Sequence, residues 1–468
     1  MTMTDPVLQL DAARTYIARK SFGPERERDA GPETPGRIGL EPEYFVVRDE
    51  AIGTPAGRPR LFGTAEQPGL IDWLDAASER SHDFSSSAIE GGVPRYDLAC
   101  GGQLTFEPGG QVEHSTRVHD NAIGAMDDLV RVRGILTDLF AAEGCSTVAL
   151  GVDPWHRVDD VPQQLPGGRY RAQAEFYERK GRFGRVMMRH STSVQINLDF
   201  GDDARVAEER WAIANLVGPL ITATFSTSPG RIRSEEGTFA SRRAYVWRTL
   251  DPTRTGYSRG FVESALGDGS DMGLAYADQV LDADVMLFQR PGFPDGMATG
   301  GPGFTFREWI ERGHPEHGAA TQADLDYHMT TVFPEVRARG FMELRAADGL
   351  PLDLVGPFVV YLTGLVYDPT ARGEALRVLE PHRKDLDALW YRAAKEGLAD
   401  TEVCGLCRWV WTLALEGATR MGKDYFRPED LVAAEAFLER FVMDCRSTSD
   451  ELDELLARAP REALAWHK

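Results

Sequence analysis

The sequence predicts an α+β protein built on a mostly antiparallel sheet, and three observations carry that prediction. Short segments with the two-residue alternation of strands are scattered through the first three quarters of the chain. Long, varied segments separate them, not regular βα units, which argues against a doubly wound sheet. From about residue 353 to the end only helical periodicity is found.

The elements follow in order. Asp5 and Pro6 open an amphipathic helix over 5–20, and proline, glycine and charge make 21–36 a loop. A strand is predicted over 37–48, a glycine- and proline-rich loop over 52–68, and a helix at "LIDWLDAASE". Residues 95–107 read as strand, turn, strand, and 117–143 as a long helix with Ile123, Met126, Val130, Leu136 and Leu139 roughly at helical spacing. "STVALGVDP" is a strand ending in a turn, 166–181 a loop and helix, and 192–200 a cleanly alternating strand. Residues 206–228 are predicted as one helix, followed by a Gly/Ser/Arg-rich loop to 243, and 340–348 as the last strand.

Composition removes several function classes. With 52 basic and 73 acidic residues the net charge is -21, which disfavours a general nucleic-acid surface. An anionic substrate must then be drawn in by local cations or metals. The N-terminus has no apolar core of a secretory signal, and "GPFVVYLTGLVYDP" is too short to span a bilayer, so a cytoplasmic protein without membrane partners is expected. Five cysteines fit a reducing compartment better than a disulfide scaffold, and Cys404-x-x-Cys407 reads as core packing. No phosphate-binding P-loop and no strand-coupled G-x-G-x-x-G is present.

Four strand segments carry an unusual polar face. Glu41 and Glu43 lie two apart in "IGLEPEYFVV", so both point to one side. Glu107 and Glu113 flank the turn in "FEPGGQVEH"; Gln195 and Asn197 share a face in "SVQINLDF", with Asp199 in phase; Glu343 and Arg345 share one in "FMELRAAD". Solvated faces normally mix in Lys, Thr and Ser, and the lysine here is missing. Clustered carboxylates and amides without paired histidine or cysteine suit a hard cation such as Mg²⁺ or Mn²⁺, which usually serves nucleotide phosphates. Pro42 lies between the two glutamates; its missing N–H predicts an edge or bulged strand, at the rim of the sheet. Arginines that could meet an anionic substrate occur at Arg169, Arg171, Arg189, Arg242, Arg243 and Arg254, and Trp247 falls four after Arg243 on one helix face. His190 and His328 read as structural.

These segments, "GLEPEYFVV", "FEPGGQVEHST", "PGGRYRAQAEFY", "MMRHSTSVQINLDF", "SRRAYVWRTLDPTRTG" and "DYHMTTVFPEVRARGFMELRAADGLP", resemble in order and spacing the glutamate–cysteine ligase family of plant and actinobacterial type. The subgroup it most resembles is that of the ergothioneine pathway. The resemblance implies a glutamine synthetase-like curved antiparallel sheet forming a funnel, with helices outside and a helical C-terminal region. It implies three parts: an N-terminal helix and loop (1–36), a catalytic domain (37–370) and helices packed on the same domain (371–468). It implies ATP-dependent joining of the γ-carboxylate of L-glutamate to the amine of L-cysteine, by a monomer or homodimer using Mg²⁺ or Mn²⁺. By position, Glu41, Glu43, Glu107, Glu113, Gln195 and Glu343 are the implied metal ligands, and Arg345 and Arg243 the implied catalytic arginines. Arg189, Arg243, Trp247, Arg169 and Tyr170 fall in substrate-facing segments, and Gln195, Asn197 and Arg254 in nucleotide-facing ones. The segment around Gln279 matches less well, which leaves open a related ligase that uses a different amine.

Overall fold

The computed structural model describes residues 8–23, 33, 35–88, 92–181, 183–231 and 237–466. Its main sheet is antiparallel at every pairing. We label the strands β1 (Ile38–Arg48), β2 (Phe84–Ala88), β3 (Pro94–Leu98), β4 (Gln103–Phe106), β5 (Val112–Ser115), β6 (Cys145–Val148), β7 (Val194–Leu198), β8 (Val336–Ala338) and β9 (Met342–Leu344). Their spatial order is β8-β9-β7-β1-β5-β4-β3-β2, and β6 pairs with the second half of β1. The α+β prediction thus holds, and β2 is a strand that the sequence pattern does not predict.

The helices used below are α1 (Leu10–Phe22), α2 (Leu70–Ser78), α3 (Ala122–Ala141), α4 (Gly168–Lys180), α5 (Phe183–His190), α6 (Ala204–Leu216), α7 (Gly218–Thr224) and α8 (Arg242–Leu250). Asp5 and Pro6 lie outside the described residues. The single helix expected over 206–228 is divided into α6 and α7 at Val217, because Pro219 in the first turn of α7 has no N–H to continue the ladder.

Alternation explains the layering. Val194, Ile196 and Leu198 of β7 pack into the main core with Ile38, Leu40, Met342 and Leu344. The intervening Glu41, Gln195, Asn197 and Glu343 fall on the other face. A second core under β3 and β4 joins Tyr96, Leu104 and Phe106 to Trp73 of α2 and Phe140 of α3. The C-terminal helices close the main core. Helix Leu352–Tyr367 crosses helix Thr401–Met421 closely enough that a Cβ on Gly364 would lie 2.2 Å from the Ala414 carbonyl oxygen. Two tyrosines from this region hold the entry to β1. The Tyr367 hydroxyl accepts from the Asp199 N–H (2.8 Å) and donates to the Arg37 carbonyl, and Tyr425 donates to the Gly36 carbonyl at 3.1 Å.

Two expectations are corrected. β1 is not at the rim; it lies between β7 and β5. Pro42 is tolerated there because strand N–H groups point alternately to the two sides. Glu43 donates toward β7, to the Ser193 carbonyl, whereas Leu40 faces the β5 side, where its N–H meets the Thr116 hydroxyl. Position 42 is in phase with Leu40. On that side the register slips by one residue between the Glu43–Glu113 and Ile38–His119 pairs, so the ladder is already irregular. Cys404 is not a core thiol either: it forms a disulfide with Cys445, while Cys407 stays a buried thiol beside Thr224. Among the described residues no helix is long and apolar enough to cross a membrane.

Candidate active site

The polar face of the sheet opens into a cavity of about 230 Å³. Glu41 and Glu43 enter it from β1, Glu107 from the end of β4, Glu113 from β5 and Gln195 from β7. The turn between β4 and β5 sets the glutamate spacing: Gly110 N–H donates to the Glu107 carbonyl (2.8 Å) and Glu107 N–H to the Gln111 carbonyl (2.9 Å). A Cβ on Gly109 would lie 2.2 Å from the Arg189 carbonyl oxygen, which explains the second residue of Pro-Gly-Gly. The remaining wall comes from Arg243 and Trp247 of α8, Arg345 after β9, Phe333 and Arg339.

Each carboxylate is held differently. Glu43 accepts from the Ser193 N–H (2.9 Å) and hydroxyl (3.0 Å) and from Gln195 Nε2 (3.3 Å). Glu41 accepts from Asn197 Nδ2 at 2.7 Å, and Glu113 from the Thr105 hydroxyl at 2.7 Å. Burial, then the charges of Glu113 and Glu343, push the Glu41 carboxyl up to about 7. Burial and then Glu43 do the same for Glu113, also to about 7. Glu107 is pushed well above the carboxylate range by burial, then by Glu113 and Glu43. Burial raises Glu43 as well, against the pull of Arg243 and the Ser193 hydrogen bonds. Glu343 goes the other way. Arg345 grips it directly, Arg339 at 2.9 Å and Arg337 at 3.9 Å, and against its burial these guanidinium groups lower it to about 2.

The donor set fits a hard divalent cation. Its carboxylates are crowded and short of positive partners. Among the described residues the amide oxygens Gln195 Oε1, Gln111 Oε1 and Asn197 Oδ1 are buried with no hydrogen-bond partner. An acceptor-only oxygen in that state is completed by a cation or a donor from a ligand. Among the described residues, however, no three acidic, imidazole or thiol groups form a ready metal cage. Mg²⁺ takes one or two carboxylates and fills its shell with water and phosphate oxygens.

The structure sorts the residues predicted from sequence. Glu41, Glu43, Glu107, Glu113, Gln195, Arg243, Trp247 and Arg345 meet at one cavity. Asn197 and Glu343 lie directly opposite each other on β7 and β9 and border it through Glu41 and Arg345. Arg169 lies at the margin: it binds the Thr330 hydroxyl at 3.0 Å and offsets the charge of Glu107. Tyr170 is pushed up to about 12 by burial and by Glu107.

Three residues named from the sequence lie away from this cavity. Arg254 is fully buried, with its guanidinium consumed by Asp251 and the Thr331 and Asp284 carbonyls, so it is a structural arginine. Arg189 does not line this cavity; its nearest charges are Arg185, Asp159 and Glu178. Gln279 binds the Gly256 carbonyl at 2.7 Å, also away from the cavity. Asp199, in phase on β7, instead pairs with Arg37 at 3.0 Å. Gln111, Gln173, Met187, Ser191, Ser193, Phe333 and Arg339 also line the cavity and were not predicted from sequence. Gln111 and Ser193 could have been found, since they are in phase with Glu113 and Gln195.

Similarity to known proteins points the same way. The model for "Glutamate-cysteine ligase family 2 (GCS2)" matches residues 37–434. The chain is 34% identical over 378 residues to a glutamate–cysteine ligase, EgtA, of Mycolicibacterium smegmatis, covering 80% of this chain and 82% of the relative. It is 28% identical over 370 residues to the chloroplastic glutamate–cysteine ligase of Arabidopsis thaliana, covering 77% of this chain and 64% of that protein. A glutamate–cysteine ligase of Francisella tularensis, solved in complex with AMP, shares the fold with a TM-score of 0.52 at 12% identity, over 94% of this chain and 88% of that one. The chain belongs to glutamate–cysteine ligase family 2.

Proposed function

We propose that the protein joins the γ-carboxylate of L-glutamate to the amine of L-cysteine at the expense of ATP, giving γ-glutamylcysteine, ADP and phosphate. The observation that carries this reading is the convergence of four half-buried glutamates and three arginines on one small cavity.

A carboxylate does not react with an amine near neutrality, because oxide is too poor a leaving group. The γ-carboxylate oxygen of glutamate therefore attacks the γ-phosphorus of ATP and ADP departs. The amine nitrogen then attacks the acyl phosphate carbon, phosphate departs, and one proton is released. Little covalent work is left to the protein, whose residues position and neutralise. Glu41, Glu43, Glu113 and Gln195 would supply the ligands for Mg²⁺ or Mn²⁺, no more than two carboxylates to one ion. The chemistry such an ion supplies is orientation and charge neutralisation of the phosphate oxygens.

Arg345 is kept charged by Glu343, Glu41 and Glu43 despite its burial, so it offsets charge on the transferring phosphoryl group. Arg243 donates to the Arg345 carbonyl at 3.2 Å and stacks 5.5 Å from the Trp247 ring. That contact fixes its guanidinium beside Glu43, where it meets a substrate carboxylate. One of the cavity's carboxylates takes the proton from the attacking amine.

The test is ADP release with L-glutamate, ATP and Mg²⁺ across a panel of amines. Cysteine should give the highest kcat/KM. Turnover with other amines but not cysteine would keep the ligase chemistry and reject the acceptor; ADP release without glutamate would reject both.

A further inference from the structure

Helices α5 and α8 each face two cavities. Met187 and, just past the helix end, Ser191 border the carboxylate cavity, while Val186 and His190 border another. On α8 the split is Arg243 and Trp247 against Arg242 and Val246. Neighbouring helical positions differ by about 100° in direction, so one pair of helices forms a shared wall. The second cavity holds about 660 Å³, within the range of small-molecule pockets.

Its lining is apolar apart from a few polar groups, and these are not all matched. Arg185 is paired with Glu178 (2.7 Å) and Asp159 (3.4 Å), so those charges cancel. Among the described residues Arg242 has no such partner. Its Nε donates to the Ser228 carbonyl at 3.3 Å, and no carboxylate lies in ion-pair range among the described residues. His190 is 6% exposed, and its Nδ1 has no hydrogen-bond partner among the described residues. A guanidinium without a counter-ion and a buried ring nitrogen without a bond are costly unless a ligand completes them. A carboxylate matches the fork of Arg242, and an apolar body matches Val152, Val186 and Val246.

We propose that this second cavity binds a small organic carboxylate with an apolar body, and that its occupancy is transmitted to the carboxylate cavity through α5 and α8. The coupling is reciprocal: a ligand against Arg242 and Val246 biases the same helix that carries Arg243 and Trp247.

The probe is 4-phenylbutyrate, with 4-phenylbutanamide as its uncharged counterpart, titrated into the full-length protein without ATP or Mg²⁺ and followed by calorimetry. Saturable one-to-one binding of the acid is expected, at least tenfold tighter than the amide. Arg242→Met and the cavity-filling Val246→Trp should each weaken it at least tenfold, with circular dichroism confirming that both variants fold. In turnover assays the acid should change kcat in a way that excess glutamate, cysteine or ATP does not relieve. Absent or charge-independent binding, or binding indifferent to Val246→Trp, overturns the proposal. So does inhibition relieved by one substrate, which places the acid in the catalytic cavity. Because binding is read without turnover, failure of the ligase reading leaves this test intact.

Discussion

Glu43 of β1 stands directly across the ladder from Glu113 of β5. Like charges at facing positions of an antiparallel pair destabilise it. A sheet does not keep such a pair at its centre for stability, so its proximity is a demand of function.

The first consequence is a linkage between pH and cation. Glu41 and Glu113 are held at about 7, above the ordinary carboxylate value of about 4.3. The cation-free fold therefore binds more protons than the unfolded chain over that interval. The stabilisation is full below about pH 4.3 and is lost as pH rises through about 7; every tenfold gain in proton affinity on folding is worth about 1.4 kcal/mol of it. Mg²⁺ should raise Tm by several degrees at about pH 8 and hardly at about pH 5.5. Equal rises in Tm at the two pH values would reject the carboxylates as the binding site.

Removing one member of the pair should separate stability from activity. Glu113→Gln relieves the repulsion and should stabilise the cation-free protein by about 1 kcal/mol in urea titrations. The same change should lower kcat/KM on the order of 100-fold, the usual effect of losing one preorganised polar group. Glu43→Gln should fold normally and lose most ATP turnover; normal turnover with Mg²⁺ would reject its role as a ligand.

Arg345 combines a fixed charge with a two-pronged grip on Glu343. Arg345→Lys keeps the charge and loses the fork. A fall in kcat on the order of 10- to 100-fold is expected, with KM for cysteine nearly unchanged. A change confined to KM would make it a binding group for the amine.

Asp348 sets the position of α8. It accepts from the Thr227 N–H (2.8 Å), the Ser228 hydroxyl (2.6 Å) and the Ser241 hydroxyl (2.9 Å), and Ser241 caps α8 through the Ala244 N–H at 3.0 Å. Asp348→Ala strands these donors and should cost about 3 kcal/mol, with a raised KM for glutamate through displacement of Arg243. Urea unfolding and steady-state kinetics on one preparation check both parts.

The Cys404–Cys445 bond spans 41 residues. Chain-entropy arguments put its contribution at about 4 kcal/mol for a loop of that size. Reductant should lower Tm, and Cys445→Ser should abolish the difference; equal Tm values in wild type with and without reductant would show the bond to be absent in solution.

What the sequence could and could not disclose follows from the range of the interactions involved. Period-two alternation is local, so Glu41, Glu43, Gln195 and Glu343 could be placed on one polar face from their own strands. Whether an arginine is free is not local. Arg254 looks like Arg243 in sequence, yet its partners at Asp284 and Thr331 are brought up by distant segments. The same holds for Cys404, whose partner is 41 residues away. Pro42 misled for a subtler reason: proline excludes a ladder bond on one side of a strand, and the sequence does not say which side is already irregular.

The hydroxyls of Tyr367 and Tyr425, clasping the backbone where β1 begins, also constrain how the protein is made. The strand bearing Glu41 and Glu43 leaves the ribosome before the tyrosines that fasten it, which bond to residues 330 (Tyr367) and 389 (Tyr425) positions earlier in the chain. A nascent chain thus carries the Glu41–Glu43 segment unfastened until both tyrosines have emerged.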